Sequence, residues 1–208
     1  MHSFAYSHTL HLQAPTFKAK AVLDEKFIDI NSADYQEKGM WTALLFYPFD
    51  FTFVCPTELK AFSAMHEEFA ALKTQVLAIS TDSHHTHLAW LKTPAEQGGV
   101  GGLNMPLVAD TSHEISRQYG VLIEDENDDM NGATLRGLFL VDPSGVLRSV
   151  QINDDSVGRS VEETLRLLNA FQWADAHKGE ACPASWKPGD DTIKADPEGA
   201  QAYFIAHF

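Results

Sequence analysis

Along the chain, short unbroken apolar runs alternate with stretches whose apolar residues recur at helical spacing. Lys18–Ile30 mixes Val22, Phe27 and Ile30 with charges and predicts one or two short strands; the polar stretch Asp34–Gly39 predicts a turn. Trp41–Tyr47 is a continuous apolar and aromatic run cut off by Pro48, the mark of a buried strand. Beyond Cys55 the period changes. Leu59, Phe62, Phe69 and Leu72 fall on one face of an amphipathic helix from Pro56 to Leu72. Val76–Ser80 and Leu107–Ala109 predict further strands, His87–Lys92 and Ser112–Tyr119 short helices, and Gly98–Gly102 a break. Leu138–Val141 and Val146–Ile152 flank the turn Asp142-Pro-Ser-Gly145 and predict a hairpin. Ser160–Trp173 is the clearest helix, with Val161, Leu165, Leu168 and Phe171 on one face. Ser160 and Glu163 are spaced as a capping box at its start.

Strands alternating with helices, then a hairpin, a helix and a Gly- and Pro-rich tail, predict one α/β domain around a mixed sheet. Residues 1–16 read as an unpatterned leader carrying His2, His8 and His11. Residues 17–173 read as the folded domain, and 174–208 as an extended arm with an apolar end at Tyr203–Ile205. A length of 208 residues fits one such domain, and 44% hydrophobic with 21% charged residues excludes wholesale disorder. Lys and Arg number 15 against 29 Asp and Glu, a net charge of −14, which argues against nucleic acid and anionic membranes as partners. No run approaches the ~18 apolar residues of a membrane span, and no secretory signal is visible. A cytoplasmic location is expected.

The chain has two cysteines, Cys55 and Cys182, and no Cys-x-x-Cys. A four-thiolate zinc site within one chain and an iron–sulfur pattern are both excluded. Cys55 falls where a strand has ended and a helix begins, with Pro56 suited to the first helical turn and Glu58 facing the positive end of the helix dipole. Free N–H groups at such a terminus favour an anion, and a thiolate is the reactive form of cysteine. Thr52, three residues earlier, offers a hydroxyl to the thiol or to a bound oxygen. A small inert core residue is the competing reading of Cys55. Cys182, on the Gly- and Pro-rich arm, fits a mobile exchange partner, an ordinary structural disulfide, or a thiol that never meets Cys55. His84, His85 and His87 lack a nearby carboxylate or thiol that would complete a metal set, and they read as solvated.

The string Tyr47-Pro-Phe-Asp-Phe-Thr-Phe-Val-Cys-Pro-Thr-Glu58 resembles the active-site signature of the typical 2-Cys peroxiredoxins, the alkyl hydroperoxide reductase small-subunit and thiol-specific antioxidant family. The resemblance continues at Leu107–Asp110, Arg136–Gly145, Val157–Arg166 and Gly179–Gly189, nearly the whole chain. It implies a thioredoxin-like fold and a peroxidase acting on hydrogen peroxide and organic hydroperoxides without metal, haem or flavin. Cys55 matches the peroxidatic cysteine, whose thiolate becomes a sulfenic acid. Cys182 matches the resolving cysteine, which forms an intersubunit disulfide with it. Arg136 matches the family's active-site arginine, Thr52 the hydroxyl on the peroxide oxygens and Pro48 the shield against water. Glu58 and Arg159 match the pair that aims Arg136. The resemblance also implies thioredoxin or a flavoprotein disulfide reductase as donor, and a homodimer assembling into a decameric ring.

Gly98-Gly-Val-Gly101 and Tyr203-Phe204 are similar to the elements of family members prone to overoxidation, with Val100 in place of Leu. The acidic stretch Glu124–Asn131 is longer than the family's usual loop, and the tail Ile205–Phe208 is apolar where many relatives are basic. A holdase chaperone or a peroxide sensor is the rival reading. A thiol–disulfide oxidoreductase is disfavoured by the missing Cys-x-x-Cys.

Overall fold

A computed structural model describes residues 10–208; His2 and His8 of the expected leader lie outside them. The described chain packs as two compact units, the first ending at Arg159 and the second running from Ser160 to Phe208.

The first unit is built on one seven-stranded sheet. Its strands are β1 (Lys18–Leu23), β2 (Lys26–Asn31), β3 (Trp41–Phe46), β4 (Thr74–Ser80), β5 (Leu107–Ala109), β6 (Arg136–Val141) and β7 (Leu147–Asn153), in the spatial order β2-β1-β5-β4-β3-β6-β7. The neighbours β3, β4 and β5 run parallel, and β1 and β6 pair antiparallel on either side. Parallel central strands are covered on both faces, which accounts for the unbroken apolar run of β3, where all six residues are buried. Leu44, Phe46, Leu77, Ile79, Val108 and Phe139 belong to one core layer, with the Phe139 ring edge-on to both Phe46 and Tyr119. Residues 11–14 run along the β6–β7 turn, with His11 N and Ala14 N donating to Leu147 O and Gly145 O.

In the first unit, three helical stretches differ from expectation. Residues Ala33–Glu37, expected as a turn, form the short helix α1, its start tied by Asn31 Nδ2 donating to Asp34 Oδ1. The single helix expected over Pro56–Leu72 is two, α2 (Cys55–Ala64) and α3 (His66–Ala71). Met65 between them leaves the helical region and closes a tighter turn onto Phe62 O. The buried stripe survives the break because Phe62 and Phe69 stack 5.9 Å apart across it. Helix α4 (His84–Lys92) starts earlier than expected because Ser83 caps it, its Oγ accepting from Thr86 N. Helix α5 (Glu114–Gln118) completes the unit.

In the second unit, α6 (Val161–Ala176) opens at Ser160, whose Oγ accepts from Glu163 N as the capping pattern requires. The reciprocal half of the box is not made. The Glu163 carboxylate is instead forked onto Arg166, at 2.6 and 2.7 Å. The arm is folded rather than extended. Strands β8 (Glu180–Ala181) and β9 (Ile193–Lys194) pair antiparallel, and α7 (Gly199–His207) carries Tyr203 and Phe204. Trp186 contributes to this folding, since it is buried against Trp173 and donates from its indole to Asp190 O. Among the described residues no helix is long and apolar enough to cross a membrane.

Candidate active site

Sheet register assembles the site. Leu45 on β3 pairs with Leu138 on antiparallel β6, so Arg136, two residues earlier on β6, lies beside the end of β3 where the Tyr47–Val54 loop begins. That loop delivers Cys55 as the first residue of α2, with Pro56 second, where a missing N–H costs nothing. Thr57 N and Glu58 N donate to Val54 O, closing the first turn.

Cys55 is fully buried. Arg136 Nη1 lies 3.4 Å from its Sγ and donates to Glu58 Oε2 at 2.7 Å. Glu58 is held more firmly still by Arg159. The Arg159 N–H and Nε donate to Oε1 at 2.7 and 2.8 Å, and Nη2 donates to Oε2 at 2.9 Å. Arg159 is fixed in turn by Nη1, which donates to the carbonyls of Phe46 and Gly137. Burial alone would push the Glu58 carboxyl up; the bonds and charge of Arg159, with Arg136 behind them, outweigh it and hold it below its ordinary value. One carboxylate thus faces two guanidiniums, so a positive excess remains beside the sulfur.

Thr52 Oγ1 donates to Phe49 O at 2.9 Å, which leaves its lone pairs available to accept a hydrogen bond. Pro48 is buried at the end of β3. The first unit therefore brings together Cys55, Glu58, Arg136 and Arg159 in direct contact and places Thr52 and Pro48 on the loop that leads to them.

Residues 10–150 match the sequence profile of the AhpC/TSA family. The chain belongs to the peroxiredoxins. Residues 170–205 of this peroxiredoxin match a second profile, the C-terminal domain of 1-Cys peroxiredoxin. It is 56% identical to peroxiredoxin prdx-2 of Caenorhabditis elegans over 93% of this chain and 92% of that one. It is 55% identical to peroxiredoxin tpx1 of Schizosaccharomyces pombe over 93% and 96%. Among solved structures, the reduced 2-Cys peroxiredoxin of Plasmodium vivax superposes with a TM-score of 0.88 at 37% identity, covering 94% of this chain and 98% of that one. The thioredoxin-like α/β architecture expected from the sequence is the one this peroxiredoxin has.

Cys182 follows β8 in the second unit, half-buried, with its thiol donating to Ala170 O on α6 at 3.6 Å. Burial raises its pKa, opposed by the charge of Arg166. Both cysteines are free thiols.

The expectation that the His84–His87 cluster is solvated is wrong for His87. Its side chain is wholly buried, and Nδ1 lies 2.8 Å from Asp50 Oδ2, while Tyr47 donates to Asp50 Oδ1 at 2.8 Å. Burial pushes the Asp50 carboxyl up, against the pull of His87. His84 and His85 instead pack edge-on against Phe27. Among the described residues no group of three or more His, Cys, Asp or Glu is placed to hold a metal ion. The sequence reading missed the Tyr47–Asp50–His87 chain, which braces the loop before Cys55. Its available signal was a Tyr and an Asp three apart at a strand end, whose polarity must be satisfied if the loop is buried.

Proposed function

We propose that Cys55 is the peroxidatic thiol of a 2-Cys thiol peroxidase. The observation that carries this reading is Arg136 Nη1 at 3.4 Å from the Cys55 sulfur at the start of α2. A thiolate there attacks one oxygen of a hydroperoxide as the O–O bond breaks. The sulfur is oxidised to sulfenic acid, and the leaving oxygen takes a proton to become water or an alcohol. Arg136 stabilises the charge shifting onto the peroxide oxygens, and Thr52 accepts from the peroxide hydroxyl. Glu58 and Arg159 hold Arg136 on line, and Pro48 keeps water from the sulfur.

Cys182 of a second subunit then attacks the sulfenic sulfur, forming an S–S bond and releasing water. An external dithiol, thioredoxin or a flavoprotein disulfide reductase, returns both thiols by exchange. The arm position of Cys182 supports this reading, and so does the sequence string around it. The intersubunit bond requires at least a dimer, and rings of dimers are the assembly we propose.

The test is non-reducing denaturing electrophoresis of the wild type, Cys55→Ser and Cys182→Ser after one equivalent of hydrogen peroxide and thiol blocking. A dithiothreitol-sensitive dimer in the wild type alone is expected. A wild-type monomer with an internal disulfide moves the mechanism within one chain. Two free, unoxidised thiols in all three proteins overturn the peroxidase reading.

A further inference from the structure

The segment Asn153–Arg159 is attached to the charged network at both ends. At its start, Asn153 sits opposite Arg136 in the β6–β7 register, and Arg136 Nε donates to the Asp155 carbonyl at 2.6 Å. At its end, Arg159 gives its N–H and guanidinium to Glu58. Between them Gly158 lies against the same residues. A Cβ added there would meet Val54 Cγ1 at 3.4 Å and Glu58 Cγ at 3.5 Å.

From Asp154 to Arg159 the backbone is irregular, and side chains shape it. Asp154 Oδ1 accepts from Ser156 N at 3.2 Å and from Ser156 Oγ at 3.1 Å, and Val157 N donates to Asp154 O at 3.3 Å. Asn153 Nδ2 donates to Val157 O at 3.1 Å, and Gln151 Nε2 steadies Asn153 through its Oδ1 at 3.2 Å. These bonds fold the chain back on itself with the Asp155 carbonyl turned to Arg136.

A guanidinium is planar, with donors fixed in one fork. An acceptor at one nitrogen leaves the plane free to swing, and a second acceptor on another nitrogen fixes it. Glu58 on Nη1 and the Asp155 carbonyl on Nε are those two acceptors. We propose that Asp154 and Asn153 are positioning residues for the peroxide reaction: by folding the 153–157 turn they present the Asp155 carbonyl that fixes the Arg136 plane beside Cys55. Neither touches the sulfur, and Asp154 is exposed, so both act through Arg136. The inference rests on the role proposed for Arg136.

A double-mutant cycle on the second-order rate of Cys55 oxidation by hydrogen peroxide tests it, using the full chain. Asp154→Ala removes the acceptor and is expected to slow the reaction about tenfold, as a small misplacement of a charge-stabilising group does. Asp154→Asn keeps an oxygen acceptor and is expected to stay within about twofold of the wild type. Asn153→Asp, which loses the donor to Val157 O, is expected to behave like Asp154→Ala. In an Arg136→Lys background, where no guanidinium plane remains to be fixed, both changes are expected to add nothing. An unchanged rate in Asp154→Ala and Asn153→Asp overturns the inference. So does the same slowing in the lysine background, which marks a general structural effect. If Arg136→Lys itself reacts at the wild-type rate, the role of Arg136 falls, and this inference with it.

Discussion

Glu58 is the residue on which the site turns, because it answers two buried guanidiniums at once. Removing one partner of a buried ion pair leaves uncompensated charge, so Glu58→Ala is expected to cost about 3–5 kcal/mol in urea unfolding. Its carboxyl binds a proton less tightly folded than unfolded. The stability it contributes is therefore complete above the unfolded value of about 4.3 and is lost as pH falls through the lower folded value. Urea titrations from pH 7 to pH 3 are expected to show a fall at the acid end that is shallower in Glu58→Gln; equal slopes would show that Glu58 is not its source. Cys55, Thr52 and Glu58 were legible because one short string holds a strand end, a proline and a helix start. The contact of Arg136 with Cys55, and of both arginines with Glu58, was not legible from spacing, because it depends on strand register and on a loop about 80 to 100 residues away in sequence. The resemblance alone pointed to it.

Among the elements, the glycine run after α4 has a steric cause that its sequence does not announce. Gly98 adopts φ +80, and a Cβ on Gly99 would lie 1.8 Å from Thr93 O, inside any tolerable contact with backbone. Trp90, fully buried, donates its indole N–H to Gly98 O and packs on Tyr47 and Phe51 of the loop before Cys55. Gly99→Ala is thus expected to lower stability by about 1–3 kcal/mol through forced repacking, with thermal unfolding as the measure. An unchanged melting temperature would mean the loop relaxes freely. Strand positions were the most legible elements, because buried parallel strands leave continuous apolar runs. The break at Met65 was hidden because Leu59, Phe62 and Phe69 keep their stripe on both sides of it. The folded arm was hidden because its order comes from scattered contacts, among them Trp186 on Trp173 and Thr192 on Glu180, rather than from any period.

For the whole molecule, the proposed chemistry needs a second copy of the chain. Light scattering on the reduced protein is expected to give a mass of at least twice the 23.0 kDa monomer. A monomer at micromolar concentration would remove the partner that the intersubunit disulfide requires. The burial of Cys55 bears on which reagents can reach its sulfur. A sulfur with no exposed surface works as a sieve: it sorts reagents by bulk before it sorts them by reactivity. A bulky disulfide is expected to react with Cys55 far more slowly than a small oxidant does, because the larger reagent needs more of the surrounding structure displaced. On the proposed role of Cys55, size discrimination would show as a slower reaction with large alkylating reagents than with small ones.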